Sequence, residues 1–170
     1  MSSATTIELL YLNAGGGHRA TARALEQVIH EQRRPWRVQA LDLMAIFDPD
    51  ARFQRLTGIA PEHLYNRALA RGRTIGMELQ LRLLQGLVSL GHDWMRRRLE
   101  SHWQRTQPSL VVSLVPNFNR AIGLAAARAL PHAPFVTVMT DLADLPPHFW
   151  IEPGITQHLV CGSDRAVAQA

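Results

Sequence analysis

A glycine-rich turn that ends in a histidine holds the residue types in this sequence that could do chemistry. The apolar run 9–12 leads through Asn13 into Gly15, Gly16, Gly17 and His18. Glycines let a backbone turn sharply and approach a bound group. A helix that starts directly after them points free N–H groups and partial positive charge at that group. The pattern predicts that His18 is a general base, kept neutral by the helix end. A solvated histidine in a first helical turn fits equally well.

The same turn also matches a dinucleotide-binding fingerprint. Gly15, Gly17 and Ala20 fit the G-x-G-x-x-G/A spacing, and Asp42 lies at about the distance of a ribose-binding acid. A pattern this short matches often by chance. The residues therefore leave a nicotinamide-dependent oxidoreductase domain open as an alternative.

Further polar side chains follow two other apolar runs. A second candidate loop, 116–119, comes after the run 109–115, and a third, 140–150, comes after 134–139. Structural caps and a packed loop are the ordinary explanations for these residues. A strand-ending carboxylate such as Asp141 is also a site candidate. The candidate binding or catalytic residues in these loops are Asn117, Asn119, Thr140, Asp141, His148 and Trp150.

The apolar periodicity predicts alternating strands and helices. Strands are expected at 7–12, 36–43, 109–115, 134–139 and 157–161. Helices are expected at 19–31, over most of 51–105 with breaks near 58–61 and 72–76, at 120–130, and after Ser163 or Asp164. Asn119 is the predicted cap of the third helix. This order predicts one α/β domain over 1–170, a Rossmann-like three-layer fold with a parallel sheet and a helical insertion at about 51–105. All candidate loops then share the carboxyl edge of the sheet.

The segment 77–95 is predicted to be a helix that is apolar over most of its circumference. Its polar residues form a narrow stripe that includes Gln85 and Arg96. We expect it to pack against the sheet and to have more than one apolar surface to cover.

Charge is distributed unevenly along the chain. All eighteen basic residues are arginine, and residues 51–105 hold ten of them against four acids, a net charge of +6, while the remainder is at −2. This suggests an anionic surface as a partner. No apolar run reaches membrane-spanning length, and a single cysteine, Cys161, fits a reducing compartment. The protein is therefore expected to be either soluble or attached to a membrane surface. With the basic segment 51–105 we expect a cytoplasmic protein, peripheral on the inner face of the membrane, with no nucleic-acid partner and no metal site.

The chain resembles the N-terminal half of monogalactosyldiacylglycerol synthase and the related processive diacylglycerol glycosyltransferases. The stretches that carry the resemblance are 15–20, 108–113, 136–141 with His148 and Trp150 after it, and 160–163. Together they extend over almost the whole chain. Their order and spacing are more specific than any one of them.

The resemblance implies a two-domain glycosyltransferase of the GT-B type, a hexosyltransferase without a cofactor. This half would bind the lipid acceptor, such as diacylglycerol, and a C-terminal half beyond residue 170 would bind the nucleotide-sugar donor. His18 would be the base or the residue that orients the acceptor, beside Asp141. The helical insertion would meet the membrane. We place that contact within 52–73, with Arg67, Arg71 and Arg73 as the residues that face the lipid.

Two departures from the family pattern matter. Related enzymes often have Ser-Thr-His-Pro after the third strand, where this chain has Ser113-Leu114-Val115-Pro116-Asn117. The acceptor's identity therefore stays open. Because the sequence as given ends at Ala170, we expect the isolated chain to be inactive in transfer. A non-enzymatic membrane-binding module is the remaining alternative.

Overall fold

The computed structural model describes residues 4–13, 16–50, 77–141 and 147–170, with only the backbone described for 77–84 and 87. Within these ranges the chain forms a sheet of five parallel strands. The strands are β1 (Thr5–Tyr11), β2 (Trp36–Asp42), β3 (Leu110–Ser113), β4 (Phe135–Val138) and β5 (His158–Val160). The predicted α/β fold with a parallel sheet is confirmed.

The described part of the chain also forms five helices, of which two follow β2 and one each follows β1, β3 and β5. They are α1 (Gly17–Glu31), α2 (Leu43–Phe47), α3 (Met77–Thr106), α4 (Asn119–Ala129) and α5 (Asp164–Gln169). The predicted breaks at 58–61 and 72–76 lie outside the described residues.

The strand order, β2-β1-β3-β4-β5, creates a switch point beside β1. The chain leaves β1 for β2 on one side and returns to β3 on the other. In open parallel sheets, a crevice forms outside the carboxyl ends of the two strands where the order reverses, and ligands bind there. That position falls beyond Tyr11 and Ser113, where the first two candidate loops begin.

Helices cover both faces of the sheet, which gives three layers. On one face, Ile7 and Leu9 of β1 pack with Ala22 of α1. On the other, Leu10 packs with residues of α3 and α4, including Leu99 and Ile122. Successive side chains of a strand point to opposite faces, so the continuous apolar run of β1 supplies both cores.

Glu8 is the one charged residue of β1, and it is fully buried against the end of α3. Burial by itself raises the pKa of a carboxyl group. The Nε1–H of Trp103 at 2.8 Å and Nε2 of His102 at 3.2 Å nevertheless hold the Glu8 pKa below its ordinary value. Glu8 lies in the middle of β1 on the face that α3 covers, so its contacts with His102 and Trp103 tie the helix to the sheet.

Several element boundaries differ from the sequence prediction. β2 ends at Asp42, where the alternating pattern was expected to end, and Oδ1 of Asp42 accepts a hydrogen bond from the Met44 N–H at 3.0 Å and caps α2. The prediction that Asn119 caps the helix after β3, which is α4 in the structure, is wrong. The N-cap is Phe118, without a side-chain cap, and Asn119 is the first residue of α4. Ser163 caps α5 as predicted.

α3 is much longer than the strands it covers. Its 30 residues extend about 45 Å at 1.5 Å per residue, whereas the seven residues of β1 extend about 23 Å. The end of α3 packs on the sheet through Met95, Leu99 and Trp103. Its exposed face carries Leu90 and Trp94, 87 % and 45 % exposed, so the expected second apolar surface is open to solvent here. No helix in the described ranges is both long and apolar enough to cross a membrane.

Candidate functional site

The candidate site is the carboxyl edge of the sheet around the switch point. Three segments meet there: the turn after β1, the loop after β3, and the residues after β4. Their side chains converge on Trp150, which is fully buried. This convergence is the geometric reason for treating the edge as one site.

The turn after β1 owes its shape to Gly16. Gly16 has φ of +80° and is the N-cap of α1, a conformation that favours glycine. Gly17 has ordinary backbone geometry, and a Cβ added there would meet no described atom within 4 Å. Neither strain nor crowding inside the described part of the chain therefore requires Gly17, and the described residues leave the start of α1 open. Gly15 lies outside the described residues.

His18 is half-buried in the first turn of α1, beneath this open surface. Burial lowers its pKa, while the nearby carboxylate of Asp141 and the backbone carbonyl of Leu114 oppose that shift without cancelling it. The ring is therefore neutral at physiological pH. Its Nδ1 atom is buried and makes no geometrically acceptable hydrogen bond to a described residue. Nε2 is then the ring nitrogen that can reach a ligand.

Trp150 joins His18 to Asp141. The Trp150 Nε1–H donates to Oδ2 of Asp141 at 2.6 Å, and the indole meets the His18 ring edge to face, with 6.2 Å between ring centroids. The two residues predicted as catalytic therefore lie on the same sheet edge. Because Trp150 has no exposed surface, its part in the site is to position its neighbours rather than to touch a ligand.

Asn119 supports the same centre from the other side. Its Oδ1 accepts from the Ser113 hydroxyl at 2.6 Å, and its Nδ2 donates to the Trp150 carbonyl at 2.9 Å. Asn119 is fully buried. It therefore links the end of β3 to the loop that carries Trp150.

Asn117 and Gln85 contact the residues that precede Trp150 in its loop. Asn117 has φ of +66°, and its backbone N–H donates to the Phe149 carbonyl. The Gln85 amide of α3 contacts Oδ1 of Asn117 at 3.4 Å and the Pro147 carbonyl at 3.2 Å. Because α3 runs toward its end at the opposite edge, residues 77–84 extend beyond these loops by about 12 Å.

His148 is paired with an acid. Its Nδ1 lies 2.9 Å from Oε2 of Glu152. The His148 side chain is 56 % exposed and that of Glu152 only 4 %. The backbone of His148 has φ of +58°, a left-handed conformation that costs a non-glycine residue about 1 kcal/mol or more. The loop thus holds one exposed histidine over one buried carboxylate.

The remaining predicted residues are placed as follows. Thr140 is half-buried directly before Asp141. Asp42 lies at the carboxyl end of β2, where it caps α2. The predicted membrane-contacting residues Arg67, Arg71 and Arg73 lie outside the described residues.

Two residues of this edge were not among the predicted site residues. Gln85 was recognised as part of a polar stripe, but its contacts with the loops after β3 and β4 depend on how α3 crosses the sheet. Glu152 stands four positions after His148. In a regular element, side chains four positions apart meet only on a helix. The two prolines before His148 do not predict a helical turn, so the sequence did not indicate this pair.

A surface cavity of about 800 Å³ lies elsewhere, against the end of α1 and the start of β2. Its lining includes His30, Arg34 and Trp36. These residues lie toward the amino edge of the sheet, far from His18. Within the described ranges, no three His, Cys, Asp or Glu side chains are grouped closely enough to hold a metal ion.

Comparison with known proteins adds no identity to this geometry. No family model matches the chain, and no curated protein matches it either.

Proposed function

We propose that this chain is the acceptor-binding half of a hexosyltransferase that moves a sugar from a nucleotide-sugar donor to a lipid acceptor. The observation that carries the proposal is a neutral, half-buried His18 beside Asp141 at the switch point of a parallel sheet. The resemblance to the processive diacylglycerol glycosyltransferases supports the same function. Diacylglycerol is the acceptor it favours.

In the proposed reaction, Nε2 of His18 accepts the proton of the acceptor hydroxyl. The oxygen then attacks the anomeric carbon, and the bond from that carbon to the donor phosphate breaks with both electrons on the phosphate. Burial of His18 favours the neutral ring that can accept a proton. Asp141 partly compensates the positive charge that forms on the ring, since its carboxylate acts on His18.

The test is a transfer assay with this chain joined to a donor-binding half. Labelled UDP-glucose and UDP-galactose would be offered with dioleoylglycerol in vesicles, and labelled glycolipid is the expected product. The isolated chain should give none. Product formation by neither sugar across neutral and anionic vesicles would count against the proposal.

Thermal unfolding of the isolated chain distinguishes the nicotinamide-dependent oxidoreductase alternative from the proposed glycosyltransferase function. NADH and NADPH should leave the Tm unchanged under the proposed function. A dinucleotide at a hundred times its Kd would stabilise the chain by about 2.7 kcal/mol. A clear rise in Tm would therefore favour the oxidoreductase alternative.

We also place a membrane contact on the exposed face of α3. Leu90 and Trp94 are exposed there, and the Arg98 guanidinium lies 5.8 Å from the Trp94 ring centroid. Aromatic and aliphatic side chains beside arginines suit the headgroup region of an anionic membrane. In the sequence, α3 directly follows the basic segment that holds Arg67, Arg71 and Arg73.

Co-sedimentation with liposomes tests this contact. Binding should require anionic lipid and weaken at high salt. It should also fall when Leu90 and Trp94 are changed together to Ser, or when the three predicted arginines become Gln. The control is Val167→Ser, which alters an exposed apolar residue of α5. Equal binding to neutral vesicles would leave these residues as an ordinary solvated surface.

A further inference from the structure

The pair formed by His148 and Glu152 has no part in the proton transfer assigned to His18. It lies in the same loop, with His148 two positions before Trp150 and Glu152 two positions after it. Its histidine is largely exposed while its carboxylate is buried. The two histidines of the edge therefore stand in opposite surroundings. His18 is half-buried and makes no hydrogen bond to a described acid, whereas His148 is exposed and bonded to Glu152.

The chemistry of the pair follows from its hydrogen bond. An ionised carboxylate only accepts hydrogen bonds, so Nδ1 of His148 is the donor to Oε2 of Glu152. Nε2 stands on the far side of the ring and faces away from Glu152. A buried carboxylate is stable when it is paired with a cation, and a protonated His148 ring supplies such a cation in direct contact with it. In that form Nε2–H is a charged donor at the carboxyl edge that makes no hydrogen bond to a described residue.

The loop is built to hold this ring in one place. Phe149, the next residue, accepts a hydrogen bond from the Asn117 N–H. Pro147, the residue before, accepts one from Gln85. His148 itself keeps a left-handed backbone between these two anchors. Strain that is retained between fixed points often accompanies a functional position.

We propose that His148, positioned by Glu152, binds the diphosphate that leaves the sugar donor. This assignment rests on the proposed function. As the bond between the anomeric carbon and the phosphate oxygen breaks, the electron pair stays on the phosphate and Nε2–H of His148 donates to it. The acceptor proton goes separately to His18. Sites that handle two proton-sensitive steps commonly hold their titratable groups in contrasting environments.

The first experiment needs no catalysis. The 170-residue chain, labelled with ¹⁵N-histidine, would be titrated with inorganic pyrophosphate while the histidine ring signals are followed by NMR. The His148 signal should move, and His148→Gln or Glu152→Gln should weaken binding about tenfold. His132→Gln is the matched control, because His132 is an exposed histidine before β4, toward the amino edge. Backbone amide spectra would establish that each variant stays folded.

A second arm separates the two sources of phosphate. Short-chain phosphatidic acid would replace pyrophosphate in the same titration. Movement of His148 by the lipid alone, or by neither probe, overturns the assignment to the leaving diphosphate. Movement by pyrophosphate that persists unchanged in Glu152→Gln overturns the positioning role of Glu152.

The third arm uses the transfer assay. His148→Gln should lower kcat with little change in the KM for the lipid acceptor, and Glu152→Gln should lower it in the same way. Unchanged kcat in both variants overturns the proposal. If wild-type protein transfers no sugar, the proposed function fails, while the pyrophosphate titration still decides whether His148 binds a diphosphate.

Discussion

Replacing His18 with alanine should lower the rate of sugar transfer by about 10²–10⁴, the usual range for the loss of a general base. His18 is only half-buried in the first turn of α1, so the fold should survive the change. The measurement is steady-state transfer to dioleoylglycerol by the chain joined to its donor-binding half. Thermal unfolding of the same protein would establish that it is folded.

The rate of sugar transfer by the wild-type protein should also depend on pH through the protonation of His18. Burial lowers the His18 pKa below its ordinary 6.5, and the neutral ring is the active form. Transfer should therefore be maintained as the pH falls through 6.5 and decline only when it passes the lowered pKa. His132→Ala is the control and should retain wild-type turnover. Near-normal transfer by His18→Ala would move the role of base to Asp141 or another residue.

Replacing Trp150 with alanine should lower the free energy of unfolding by about 3–5 kcal/mol, the range for large aromatic side chains in a core. Trp150 is fully buried, and its loss also removes the Nε1–H donor to Asp141 and the contact with His18. The measurement is urea unfolding at neutral pH. Transfer should fall as well, because both predicted catalytic residues lose a neighbour that positions them.

Two further variants separate the contributions of burial and of the Nε1–H hydrogen bond to the stability loss in Trp150→Ala. Trp36 is 41 % exposed on β2, so Trp36→Ala should cost about 1 kcal/mol or less. Trp150→Phe keeps an aromatic ring but removes the N–H donor, and it should cost about 1 kcal/mol for the lost hydrogen bond plus a smaller packing term. A stability loss in Trp150→Ala no larger than that in Trp36→Ala would mean that this loop does not depend on the indole.

The sequence by itself determined the layered α/β fold and the edge at which the candidate residues lie. Buried parallel strands are continuous apolar runs, as in β1 and β3, and their carboxyl ends share one edge by geometry. The sequence also predicted hydrogen bonds correctly where the two residues are close neighbours in the chain. Ser163, for example, caps α5 through the N–H of Ala166.

Only the tertiary structure decided which polar side chains meet. Asn119 looked like a helix cap, but its side chain bonds to Ser113 and to the Trp150 carbonyl, 31 positions away. Glu8 interrupts an apolar strand, and its partner Trp103 is 95 positions distant. The physical reason is that periodicity reports burial and capping, which are local. A hydrogen bond between distant side chains depends on how helices cross the sheet, as α3 does when it brings Gln85 to Asn117.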